Sequence, residues 1–112
     1  MNVVFVRGVV ARDPDIRTLA DGATLASFDL TVDAEGSPRA SVPVALPLGP
    51  KPLDPPLVGD EVVVLGEVRR RFFRAGGSTQ SRTEVMAEQL VPASDRRRVR
   101  RLLTSVSERL AE

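Results

Sequence analysis

The sequence predicts a small all-β domain, an antiparallel barrel or sandwich of five strands followed by an amphipathic α-helix. Three observations carry that prediction. Five short runs are rich in apolar and β-branched residues, turn-forming clusters separate them, and the last segment changes from a two-residue to a helical hydrophobic period. A chain of 112 residues is long enough to bury one modest core without a disulfide or a metal.

The first strand is VVFVRGVVAR, residues 3–12, with Gly8 placed where a strongly bent barrel strand needs the room. DPDIRTLADG reads as a turn. Residues 24–33 then alternate, Ala26, Phe28, Leu30 and Val32 on one face and Ser27, Asp29, Thr31 and Asp33 on the other, as a half-buried second strand does. After the turn AEGSPR, the third strand ASVPVALPL sets Val42, Val44, Leu46 and Leu48 on one face. Pro43 and Pro47 interrupt the other, which suits an edge or a barrel opening. Residues 49–59 hold four of the nine prolines and predict a stiff surface connection.

A fourth strand runs from Glu61 to about Phe73, with Val62, Val64 and Val68 directed inward and Glu67, Arg69, Arg71 and Phe73 outward. That parity assigns Phe72 to the core or an interface. The tip AGGST leads into a fifth strand, QSRTEVMAEQLV, with Val85 and Ala87 as core residues, so strands four and five form a long hairpin with an arginine-lined arm. Beyond a cap at Ser94 or Asp95, a single helical stripe collects Val99, Leu102, Leu103, Val106 and Leu110. The expected organisation is a barrel over residues 1–93 and a basic helix over 94–112. Periodicity by itself leaves open an oligonucleotide/oligosaccharide-binding (OB) barrel, an SH3-like barrel and a short sandwich.

Composition narrows the chemistry. The chain has no cysteine and no histidine, hence no disulfide, no thiolate ligand and no imidazole base. Asp29, Asp33, Glu35 and Asp60 fall on solvent faces and in turns without a calcium-loop pattern, and AGGST lacks the lysine of a phosphate-binding P-loop. The expectation is a protein that performs no catalysis and uses no cofactor and no metal. Without a long apolar run or a basic leader at MNVVFVRGVVARDP, a soluble cytoplasmic protein is expected. The net charge of +1 conceals an asymmetry: residues 1–66 carry five basic and nine acidic groups, near −4, and 67–112 carry eleven and six, near +5. Fifteen of the sixteen basic residues are arginine, the side chain suited to bidentate phosphate contacts.

Three blocks, VRGVVARDPDIRTLADGATLASFDLTVD, GDEVVVLGEVRRRFF and RTEVMAEQL, resemble the bacterial single-stranded DNA-binding proteins (the SSB family) across residues 2–91. The PV of strand three and the AEQL of strand five are also similar to primosomal replication protein N. Either resemblance implies the OB fold, a five-stranded barrel, and binding of single-stranded DNA in replication, repair or recombination, close to the nucleoid. The chain departs from the pattern in its aromatic residues, having no Trp and no Tyr. Of the stacking positions the resemblance implies, Phe73 alone is aromatic, while Val42 and Leu48 occupy two others that the alternation turns inward. The family's helix between strands three and four is replaced by the proline segment, and its acidic-tipped tail by a basic helix.

The expected nucleic-acid contacts are Arg69, Arg71, Phe73, Arg74 and Arg82 within residues 69–82, a stretch with five arginines and no acid, together with Arg12 and Arg17 around the first turn and Arg39 near the next loop. The run Arg96, Arg97, Arg98, Arg100 and Arg101 is either a second electrostatic site or a solvated helix face. A rival expectation is a protein-interaction or scaffold module that has lost most base stacking. Strand one carries Val3, Phe5 and Val9 on one face and Val4, Val6 and Val10 on the other, more than one small barrel can bury, so a homodimer is expected, with a tetramer as the larger alternative.

Overall fold

The structure is a computed structural model that describes residues 1–49 and 55–111. Residues 50–54, the centre of the expected stiff connection, lie outside the described residues. The elements are β1 (Val4–Val10), β2 (Asp15–Thr18), β3 (Thr24–Val32), β4 (Ala40–Leu48), β5 (Glu61–Ala75), β6 (Ser78–Pro92) and α1 (Arg96–Leu110). Sheet order is β1-β5-β6-β4-β3-β2, and a further antiparallel pairing of β1 with β3 closes five of these strands into a ring. The β4–β6 contact is the one parallel pairing of the ring. The fold is therefore the all-β, five-stranded OB-type barrel with a C-terminal helix, and β2 is an added flap on β3.

Alternation fills the barrel as the sequence requires. Val10, Ala26, Phe28, Leu30, Val44, Leu46, Val62, Val64, Val85 and Ala87 form the interior cluster, with Val42 and Leu48 packed against it. Both of the latter are partly buried on the inward face, where the alternation turns them. Gly8 sits where β1 leaves β5 and crosses to β3; a Cβ there would stand 2.8 Å from the carbonyl oxygen of Thr31. Pro43 and Pro47 offer no amide, and the β4–β6 ladder is confined to Val44 and Ala45 between them. The expected barrel opening is this short parallel seam.

Two sequence expectations are corrected. DPDIRTLADG is not simply a turn, because Asp15–Thr18 pairs antiparallel with Thr24–Ser27 as β2, all four residues exposed. A four-residue strand exposed throughout, Ile16 included, has no buried face, and so no alternation marks it. Val68 shares its strand face with the core but lies above the barrel rim and is 44% exposed, and Phe72, expected in the core or an interface, is not in the core, at 67% exposed. The parity of β5 was right; the barrel ends sooner than the strand does.

The helix stripe finds its cover within the chain. Asp95 caps α1, its carboxylate accepting from the Arg98 amide at 3.2 Å. Leu102 is buried against Val63, Leu65 and Val91 on the outer face of β5 and β6, with Val3, Phe5, Val99 and Val106 at the margin. Part of the apolar surplus on strand one is thus used inside the monomer, while Leu103 and Leu110 stay exposed. Opposite Leu65 and Gly66 the ladder slips, pairing them with Gln89 and Ala87 and leaving Glu88 as the extra residue of a β-bulge. Glu88 receives a forked contact from Arg109 of α1, at 2.5 and 3.3 Å. No helix among the described residues is long and apolar enough to cross a membrane.

Candidate nucleic-acid interface

Beyond the barrel, β5 and β6 continue as a two-stranded arm whose ladder runs without a break from Gly66↔Ala87 to Ala75↔Ser78. Gly76 and Gly77 close it with φ of 59° and 81°, the doubly positive combination of a type I′ turn, whose twist matches that of the strands. One face of the arm carries Glu67, Arg69, Arg71 and Phe73 opposite Met86, Glu84, Arg82 and Gln80. The other carries Val68, Arg70, Phe72 and Arg74 opposite Val85, Thr83, Ser81 and Thr79. The arm thus presents arginines and one phenylalanine on each side.

The first of these faces is held by carboxylates. Arg71 and Arg82 are directly paired across the strands, a repulsive placement, and each is met by a different acid. Arg71 lies 3.2 Å from Glu84, whose residue is 4% exposed, and its guanidinium carbon stands 5.6 Å from the centroid of the Phe73 ring. The Nε–H of Arg71 is not aimed at the carboxylate and makes no hydrogen bond, so the contact with Glu84 is electrostatic. Arg82 reaches past β4 to Asp29 on β3 at 3.1 Å, and Asp29 also accepts from Arg12 at 2.9 Å. These pairs tie the arm, the β1–β2 connection and the outer surface of β3 into one unit.

The remaining expected contacts divide in two. Arg69 pairs with Glu67 at 2.5 Å, and Arg39 pairs with Asp33 at 3.1 Å at the mouth of the β3–β4 turn. Among the described residues, Arg74 bonds only the carbonyl of Gly77, at 3.4 Å, and Arg17 projects from β2 without an ion-pair partner. Arg12, Arg71, Phe73 and Arg82 are therefore brought together on one surface, Arg69 stands on the same arm face, and Arg17 and Arg39 stand apart from them, on β2 and on the β3–β4 turn. Sequence reasoning left Arg70 and Phe72 out of the expected contacts, because the parity of β5 directs their face to the core or an interface. It also missed Asp29 and Glu84 as the organising acids, although alternation along β3 had already turned Asp29 outward.

A second basic region lies across the molecule. Arg7, Arg96, Arg98 and Arg100 rim an open cleft whose walls include Pro56, Leu57, Leu90 and Val99. Arg7 is bridged to Glu61, whereas the first turn of α1 contains no acid. Comparison with models of known protein families and with curated proteins gave no match.

Proposed function

We propose that this protein binds single-stranded DNA without catalysis, along the outer surface of β3 and β4 and the arm formed by residues 69–82. The observation that carries the reading is the arm: arginines and a phenylalanine on each face, anchored by Arg82 to Asp29 over the sheet face on which OB barrels bind oligonucleotides. Guanidinium groups track phosphates, and Phe72 and Phe73 offer sequence-tolerant stacking worth about 1–3 kcal/mol per base. With few aromatic groups, charge dominates. The affinity for a labelled oligothymidylate, followed by anisotropy, is expected to fall with salt at a log–log slope of about −0.7 per phosphate neutralised. Absence of binding at low salt rejects the reading. Its cellular setting would be the cytoplasm near the nucleoid, during replication, repair or recombination.

A scaffold function is the second reading, favoured by the cleft at the start of α1, where arginines border an aliphatic wall that has no stacking residue. Pull-down partners that depend on Arg96, Arg98 and Arg100 and are indifferent to oligonucleotide would favour it. Self-association into a dimer would draw on the exposed Leu103 and Leu110 of α1, and sedimentation equilibrium at micromolar concentration tests it against a mass of 12.1 kDa.

A further inference from the structure

Asp29 is an odd residue for a surface that receives phosphates. It stands mid-strand on β3, its side chain 18% exposed, and its two oxygens are occupied separately: Oδ2 by Nη2 of Arg12 at 2.9 Å, Oδ1 by Nη2 of Arg82 at 3.1 Å. The two guanidinium groups come from the β1–β2 connection and from the arm, and they meet nowhere else. A carboxylate shared by two arginines has the donor pattern of a phosphodiester whose two non-bridging oxygens are held by two arginines.

We propose that the gap between Arg12 and Arg82 is a phosphodiester subsite, which Asp29 fills as an internal substitute until a strand arrives. The inference rests on the single-stranded DNA reading and adds the position of one phosphate. Each guanidinium spends one donor on Asp29 out of five, and the side chains are 80% and 40% exposed, so both can turn outward to a phosphate while the backbone stays in place. Asp29 then acts as a competitor. It orders the two arginines in the free protein, and it weakens the bound state by keeping a negative charge beneath the phosphate.

The test is the Asp29→Asn variant, titrated with labelled oligothymidylate over a series of salt concentrations beside the unaltered protein. Tighter binding at low salt is expected, with a slope steeper by up to about 0.7, the contribution of the one phosphate held in the subsite. The gain should disappear when Arg12→Ala and Arg82→Ala are added, and Glu61→Gln, which removes the partner of Arg7 on another surface, should not reproduce it. Should the asparagine variant fail to fold by circular dichroism, Asp29→Ser makes the same charge change with a smaller side chain. Unchanged or weaker binding by a folded variant overturns the subsite and makes Asp29 a strut that positions its arginines. If neither the unaltered protein nor the variant binds at low salt, the single-stranded DNA reading falls, and the subsite with it.

Discussion

The two halves of the β5–β6 hairpin share one hydrogen-bond ladder and almost nothing else. In the lower half, Val62 to Leu65 are buried, alternately in the barrel interior and beneath α1. In the upper half, Arg69 to Arg74 are flanked by solvent on both faces and held by ion pairs, a cation–π contact and a type I′ turn. Backbone pairing therefore accounts for the shape of the arm but not for its position. Side-chain burial fixes the lower half, and the contacts of Arg71 with Glu84 and Arg82 with Asp29 fix the upper half. Substitutions should separate the two halves, costing stability in one and ligand affinity in the other.

The largest effect is expected at the boundary. A Cβ on Gly66 would fall 2.1 Å from the carbonyl oxygen of Met86, a backbone atom held in the ladder at the bulge. Gly66→Ala therefore has no side chain to displace, and a loss of more than about 3 kcal/mol is expected in urea titrations, beyond ordinary overpacking. Leu102→Ala comes next. It empties the centre of the smaller cluster between α1 and the sheet, at an expected cost of about 2–3 kcal/mol, and it should leave the affinity of the arm for oligonucleotide nearly unchanged.

The sequence made the lower half legible and the upper half only partly so. Alternation identified Phe28, Leu30, Val44, Val85 and Ala87 as interior because a barrel enforces a period of two wherever one face is dry. Nothing enforces that rule where both faces are wet, which is why a parity extended beyond the barrel rim directs Val68 inward and Phe72 to the core or an interface although both are exposed. The full exposure of β2, Ile16 included, hid it in the same way. Site residues were legible by type but not by pairing. The arginines of the arm stand out in a stretch without acids, yet their partners Asp29 and Glu84 come from outside it, across the sheet and farther down β6, and only the fold brings them together.

Arg71 is where the distinction between halves fails. It belongs to the arm, but Arg71→Ala would leave the buried carboxylate of Glu84 without its counter-charge, at an expected cost of about 2 kcal/mol, below the full cost of a fully buried pair because Arg71 itself is partly solvated. Loss of DNA affinity in that variant would mix a damaged fold with a missing contact. Adding Glu84→Gln should recover much of the stability without restoring affinity, and a double-mutant cycle read by thermal melting and by anisotropy separates the two contributions.

The smallest stability effect, and the cleanest functional one, is expected on the other face of the arm. Among the described residues Arg70 has no ion-pair partner, and the one hydrogen bond of the Arg74 side chain is a 3.4 Å contact to the Gly77 carbonyl. Neither removes a buried group nor breaks the ladder, whose amides and carbonyls are untouched by side-chain truncation. Arg70→Ala with Arg74→Ala should therefore shift unfolding by less than about 0.5 kcal/mol, the range of ordinary surface substitutions. If this face follows the phosphate chain, the log–log salt slope should fall in magnitude by about 1.4, two contacts at about 0.7 each, and the affinity at low salt should drop with it. An unchanged slope would confine the strand to the face carrying Arg69, Arg71 and Arg82, and would leave Phe72 as an exposed aromatic with no role in stacking.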